Sequence, residues 1–419
     1  MEEMLETLSR WQFALTVGFH YLFVPATIGL IVPAAIFETA YFNTRKFVYK
    51  SMSDFWSEIF IVFYVIGIVT GIMMPIQFGT NWAKYSVFMG DVFGTPLAFE
   101  ALLAFFLEST FAGIWIFKRD KIGAGLRLAT IWLIVLGTSI SAVWILTADS
   151  FMQHPVGYKL AEDGSKVIMT SFKEVLLNPY VFWMFIHNHT AALLLGAFIV
   201  LGVSAYHLKR GTMAEGFRKS VNLALIIALV TSVSLPVVGD LYGKYIATVQ
   251  PLKAAAILGR LQVDEAGNTV IDATSSASLN EGIGSPPGFP NARLVNIAYV
   301  AMVVLGVIFI AAMVLFLFRR KLIYENAFFR AFTVFLVPAA YVAILCGWIV
   351  TETGRLPWIV YGLMTVEQGI SNVPVASVVF SLFLIVALYA LLSAIALRLV
   401  FNAIRKGPVL VQEENDVAA

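Results

Sequence analysis

The sequence predicts an all-α polytopic membrane protein of nine transmembrane helices, and three observations carry that reading. Of its 419 residues, 59% are hydrophobic and only 13% are charged, with a mean hydropathy of +0.84; a soluble domain carries about 25% charged residues. Nine runs reach the roughly 20 apolar residues that a hydrocarbon core about 30 Å thick requires. The basic residues then fall in every second connection. The net charge of +2 is distributed by loop and not by patch, so nothing favours nucleic acid as a partner. A single cysteine, Cys346, excludes an intramolecular disulfide and any multi-cysteine iron–sulfur or zinc centre.

The runs are residues 15–41, 55–78, 96–117, 126–151, 180–206, 221–241, 294–318, 331–350 and 374–399. The first follows Met1-Glu-Glu-Met-Leu-Glu6, which lacks the basic flank and cleavage site of a signal peptide, so this run is expected to remain. Orientation comes from the connections. Arg45, Lys46 and Lys50 follow run one; Lys118, Arg119, Lys121 and Arg127 follow run three; Lys209, Arg210, Arg218 and Lys219 follow run five. Arg319, Arg320, Lys321 and Arg330 follow run seven, and Arg398, Arg405 and Lys406 end run nine. By the positive-inside rule these sides are cytoplasmic, with the N-terminus outside and the C-terminus inside.

Run three, Gly94 to Phe111, carries two carboxylates, Glu100 and Glu108. An ionisable group at bilayer depth costs on the order of 3 kcal/mol on insertion scales, so such groups usually face a bundle interior and serve a pathway or cofactor. On an α-helix the pair is separated by about 12 Å of rise and roughly 80° of rotation. Ala101 and Ala104 are small enough to admit a flat ring or a neighbouring helix. Ser109 in run three and Thr138, Ser139 and Ser141 in run four are expected to help hold water between them. The plainer alternative is a pair of helix–helix hydrogen bonds.

The outer loop at 242–292 divides in two. Its first half, from Lys244 to Leu258, reads as a short interfacial helix, and its Gly-, Ser- and Pro-rich second half reads as mobile. Loops of this length are typically lids, binding loops or disordered.

With orientation assigned, His20, Glu100, His187, His189, Met302 and Glu352 all belong to the outer half of their helices. Singly, each has a packing or hydrogen-bonding explanation, and one Met among 13 is ordinarily packing. A common depth is instead what ligands of one cofactor cluster need. Histidine, methionine and carboxylate are haem-iron ligands, with His/Met pairs typical of low-spin electron-transfer haems. His189 is about 200° from His187 around its helix and should face elsewhere. Zinc is disfavoured, since no paired His/Cys spacing occurs.

Several segments together, Ser9-Arg-Trp-Gln-Phe-Ala-Leu-Thr16 with His20, Gln77-Phe-Gly-Thr-Asn-Trp82, Gly94 to Phe111, Trp144-Ile-Leu146, Met152-Gln-His-Pro155, Phe185-Ile-His187 and Gly354-Arg-Leu-Pro-Trp358, carry a resemblance over nearly the whole chain. The sequence resembles subunit I of the cytochrome bd-type quinol:oxygen oxidases, of the short quinol-loop type. The resemblance implies a haem-binding bundle in a bacterial or archaeal cell membrane, with a low-spin haem b, a high-spin haem b, and a haem d or a further haem b. It implies oxidation of membrane quinol, reduction of O2 to water, and a proton-motive force made by charge separation without pumping. A second membrane subunit, and optionally a small single-span one, are the implied partners.

Carried over by residue, His187 and Met302 match the low-spin ligands. His20 and Glu352 match the axial ligands of the two high-spin haems, with Glu100 beside one of them. Glu108 matches a proton-path carboxylate, Trp348 and Arg355 match residues near the haem cluster, and Lys253 matches a basic residue of the quinol loop. Two positions depart from the family: Leu258 stands where a loop Glu is common, and Val300 where an Arg often precedes the haem Met. The rival readings are a haem electron-transfer cytochrome without oxygen reduction, which needs only His187 and Met302, and a proton-coupled transporter using Glu100 and Glu108.

Overall fold

The computed structural model describes residues 2–263, 269–271 and 292–408. The chain opens with α1 (Glu2–His20) and α2 (Val24–Thr44), then α3 (Phe47–Gly79), α4 (Ala83–Phe99), a π-helical turn (Glu100–Phe105), α5 (Phe106–Lys118) and α6 (Ala124–Gln153). A hairpin of β1 (Tyr158–Leu160) and β2 (Val167–Met169) leads through α7 (Phe172–Leu176) to α8 (Pro179–Arg210), α9 (Ala214–Val249) and α10 (Pro251–Ile257). After a second hairpin, β3 (Leu261–Val263) with β4 (Thr269–Ile271), come α11 (Ala292–Arg319), α12 (Lys321–Glu325) and α13 (Ala327–Thr353). A third, β5 (Trp358–Val360) with β6 (Met364–Thr365), precedes α14 (Val366–Gly369) and α15 (Val375–Lys406).

Among the described residues, nine helical stretches are long and apolar enough to cross a membrane, and they coincide with the nine expected runs. The side of the bundle on which α1 begins is called here the N-side, and the opposite face the C-side. All five basic clusters fall on the C-side.

Two runs are not the straight α-helices expected. The first breaks at Tyr21–Phe23, immediately after His20, because Pro25 has no amide hydrogen and its ring excludes a helical carbonyl four residues earlier. The amides of Leu22 and Phe23 bond to Phe19 and His20 in a tight turn instead. The third run passes through the π turn that starts at Glu100, four residues after Pro96. A π turn closes on the fifth residue back, so it holds one residue more than an α turn. The eight-residue step from Glu100 to Glu108 therefore covers roughly the rotation of seven α-helical residues, about 20° short of two turns. The expected offset of roughly 80° is reduced, and the two carboxylates lie on one face, as two steps along one inner face require.

Helix α8 is the axis of the bundle. It is apolar all round from Ala192 to Ala205, the pattern of a helix with no solvent or lipid face. Asn178 caps its start by accepting from the Tyr180 amide, Pro179 occupies the first turn where no amide bond is lost, and Gly211 ends it at φ 70°. It packs on α2, α6, α9 and α13. Against α2 the approach is backbone to backbone: a Cβ on Gly196 would fall on the Gly29 carbonyl, and one on Gly29 on the Ala192 carbonyl. Only glycine permits that spacing.

The C-side is held by a buried ion cluster. Arg127 of α6 donates to both oxygens of Glu38 on α2 (2.7 and 3.0 Å) and to Asp54 on α3 (2.6 Å), with its guanidinium 4.9 Å from the Trp115 ring. Removing one partner from a buried pair typically costs about 3–5 kcal/mol.

Candidate functional site

The N-side halves of the helices hold the site residues. His20 ends α1, and its Nδ1 lies 2.9 Å from Thr70 Oγ1 of α3. The Thr70 hydroxyl spends its own hydrogen on the Ile66 and Gly67 carbonyls, so it accepts from His20. Nδ1 is then the protonated nitrogen, and the lone pair is left on Nε2. The imidazole edge rests against Gly71, where a Cβ would come within 3.1 Å of Cε1. A hydrogen bond from one ring nitrogen fixes the tautomer and orientation of a histidine whose other nitrogen binds a metal.

His187 and Met302 come from opposite corners of a ring of four helices. Helix α8 packs on α9 and α13, and α11 packs on the same two. Each candidate ligand looks onto a glycine: a Cβ at Gly239 on α9 would lie 3.5 Å from the His187 ring, and one at Gly347 on α13 would lie 3.4 Å from Met302 Sδ. Towards the C-side the ring is closed by Phe198 on α8 against Phe309 on α11, 5.0 Å between centroids. His187 Nδ1 is buried with no hydrogen-bond partner among the described residues. An orphaned imidazole nitrogen, a thioether and two glycine-made recesses over an aromatic floor fit a flat group ligated from both faces. His189 instead stacks on Phe185, 4.9 Å away.

Glu352 closes α13. Its Oε2 accepts from Arg355 Nη2 at 2.6 Å, while the other guanidinium nitrogen donates to Asp149 Oδ1 of α6 at 3.2 Å. The second carboxylate oxygen of Glu352 has no bond from a described residue. Trp348, one turn earlier, packs near Gly18 on α1. His20, Trp348, Glu352 and Arg355 thus lie in the N-side half of the bundle, with Arg355 tied to α6 through Asp149, and this donor set also suits a haem iron.

Glu100 and Glu108 both face α6, consistent with the π turn. Ser141 donates to Glu100 at 2.9 Å, and Gly137, one turn away on the same ridge, receives Glu108, with Glu108 Cβ 3.0 Å from where a Gly137 Cβ would lie. Ser109, Thr138 and Ser139 do not join them, because each hydroxyl bonds back to a carbonyl of its own helix. Glu108 is buried, yet no side chain bonds its carboxyl among the described residues.

Lys253 differs from expectation. Helix α10, expected as a short interfacial helix, turns Lys253 inward: Lys253 is 2% exposed, and its ammonium donates to Gln153 Oε1 (3.0 Å), the Thr351 carbonyl (3.0 Å) and Tyr180 Oη (3.4 Å). A Cβ on Gly354 would meet its stem at 2.9 Å. Burial, and then the Arg355 charge, hold its pKa below the ordinary lysine value, against Glu352 and Asp149. Leu258 is exposed. Most of the second half of the loop, including Ser275 to Ser278, lies outside the described residues.

A sequence model described as cytochrome bd terminal oxidase subunit I matches residues 8–283 and 281–408. The chain belongs to the cytochrome bd terminal oxidase subunit I family. It is 36% identical to the cytochrome bd ubiquinol oxidase subunit 1 of Bacillus subtilis, over 96% of this chain and 93% of that one. It is 41% identical to the cytochrome bd-II ubiquinol oxidase subunit 1 of Escherichia coli over 62% of this chain and 50% of that relative. The bd oxidase structure from Geobacillus thermodenitrificans matches with a TM-score of 0.84 and 25% identity, covering 96% of this chain and 99% of that one. Thr70, Asp149 and Tyr180 went unremarked in the sequence, and Gln153 stood there only within the segment Met152–Pro155. Each is an ordinary polar residue until the helix register brings it against a site group, although Asp149, a carboxylate inside run four, was a visible signal.

Proposed function

We propose that this chain is the haem-bearing catalytic subunit of a terminal quinol oxidase that oxidises membrane quinol and reduces O2 to water. The observation that carries the reading is the gathering of His20, His187, Met302 and Glu352 on the N-side, each with a lone pair or a recess available to a flat group. His187 and Met302 would hold a low-spin haem b, and His20 and Glu352 a high-spin haem b and a haem d or further haem b. Bound there, haem supplies one-electron transfer and a site for oxygen reduction.

The chain's own groups do the rest. Residues 242–292 form the quinol-binding loop of a single membrane domain, with Lys253 fixing the base of α10 against Gln153 and Tyr180. Protons set free by quinol leave on the N-side, which faces outward because the basic clusters mark the C-side as cytoplasmic. Protons consumed in making water enter from the C-side and pass Glu108 and then Glu100, so charge is separated without a pump. Trp348 and Arg355 pack and polarise the N-side end, and Arg355 orients Glu352. A second membrane subunit, and optionally a small single-span one, complete the enzyme in a bacterial or archaeal cell membrane.

The test is a reduced-minus-oxidised absorbance spectrum of the purified complex, chemical identification of its haems, and quinol-driven oxygen uptake. Low-spin and high-spin signals with oxygen uptake are expected. A low-spin signal alone leaves an electron-transfer cytochrome, and no haem signal leaves a transporter.

A further inference from the structure

We propose that Asp149 is a positioning residue that sets the electrostatics of the Glu352 haem site through Arg355. The inference rests on the reading of Glu352 as a haem ligand, and Asp149 lies outside the residues to which the family resemblance gives a role. Glu352 and Arg355 are three residues apart, so their contact is local to the end of α13. The long-range anchor of the guanidinium is Asp149, 206 residues away on α6. Arg355 is 5% exposed, so its fork has few alternatives to these two carboxylates. One arm donates to Asp149 and the other to Glu352, which leaves the second Glu352 oxygen unclaimed by any described residue. A planar, permanently charged fork held at both arms orients what it touches, as a Lys ammonium would not.

The same placement carries a consequence for charge. Asp149, Glu352, Arg355 and Lys253 form one cluster, since each carboxylate acts on both cations. Replacing Asp149 by a neutral residue makes the cluster one unit more positive and leaves Glu352 as the one carboxylate that Arg355 touches among the described residues. Both effects stabilise added electrons at a haem held by Glu352: the first through the field, the second by drawing density from the ligand oxygen. The midpoint potential of that haem should therefore rise. A purely structural role would loosen haem binding without a directed shift.

The experiment is a spectroelectrochemical titration of the purified complex carrying Asp149→Asn, which keeps an acceptor for Arg355, and Asp149→Glu, which keeps the charge. The expected result is normal haem content, a high-spin midpoint raised in Asp149→Asn, and a midpoint near the native value in Asp149→Glu. An unmoved midpoint in Asp149→Asn, or an equal rise in Asp149→Glu, overturns the proposal. If Asp149→Asn fails to assemble, Asp149→Glu decides: full haem at the native midpoint supports the role, and loss of haem overturns it. Glu352→Gln separates the two levels. An unaltered high-spin spectrum in that variant overturns the ligand reading and this proposal with it, whereas an altered one beside an unmoved Asp149→Asn midpoint overturns only the role of Asp149.

Discussion

The Tyr21 hydroxyl donates to Asn188 Oδ1, joining the residue after His20 to the residue after His187. Eight residues further along each strand of the chain, Gly29 meets Gly196. The two contacts hold α2 and α8 parallel and in register, and they set the spacing between the two candidate ligands across a break where α1 gives no helical continuity.

Tyr21→Phe leaves a half-buried amide oxygen without its donor, a change that costs about 1 kcal/mol. Tyr21→Phe and Asn188→Leu should each lower thermal stability, and the double variant should lose less than the sum of the two. That non-additivity is the signature of one shared bond. Strict additivity in a double-mutant cycle would show that the bond contributes nothing.

Met302→Leu conserves volume and removes the sulfur. The low-spin signal in the reduced-minus-oxidised spectrum should disappear or become high-spin, with the rest of the spectrum retained. His189→Ala, whose ring lies on Phe185, should leave the low-spin signal in place. An unchanged spectrum in Met302→Leu removes that residue from the ligand set.

The nine spans were legible because run length and loop charge respond to the membrane, which acts on every residue alike. What sequence left hidden depends on register between helices. Pro25 was visible, but its consequence for the first span needed the competing turn after His20 to be weighed. The π turn has no composition of its own, so the smaller rotation between Glu100 and Glu108 could not be read from spacing. Arg127 was counted as a topology marker, and it is one, but its guanidinium is buried against Glu38 and Asp54. Lys253 looked interfacial because α10 is short and apolar, yet the acceptors that bury it come from α6, α8 and α13.

The lowered pKa of Lys253 gives a signed pH dependence. Between its folded value and the ordinary 10.5, the unfolded chain binds a proton that the folded chain does not, so folding stability rises with pH across that window. Native protein should therefore gain thermal stability relative to Lys253→Met as pH is raised from neutral towards 10.5. A difference in Tm that stays flat or narrows would mean that the ammonium is fully compensated by its three acceptors. Lys253→Met should also raise the KM for quinol with haem content unchanged.

The final prediction concerns Glu108. A structural reading makes it a hydrogen-bonding link between α5 and α6, but what meets α6 is its Cβ, against Gly137, and no side chain bonds its carboxyl among the described residues. The Tyr64 hydroxyl, also without a partner, lies within electrostatic range. A buried carboxyl to which no described side chain bonds is poorly explained as glue and well explained as a stop for a mobile proton, with Glu100 and Ser141 one step nearer the N-side. Gln has the same shape and hydrogen-bonding capacity but does not titrate. Glu108→Gln should therefore keep its haems and its thermal stability while losing most of its quinol-driven oxygen uptake. Gly137→Ala should differ from it, since its methyl would press on Glu108 Cα and Cβ and lower stability as well as turnover. Full turnover in Glu108→Gln would take the proton path away from this residue.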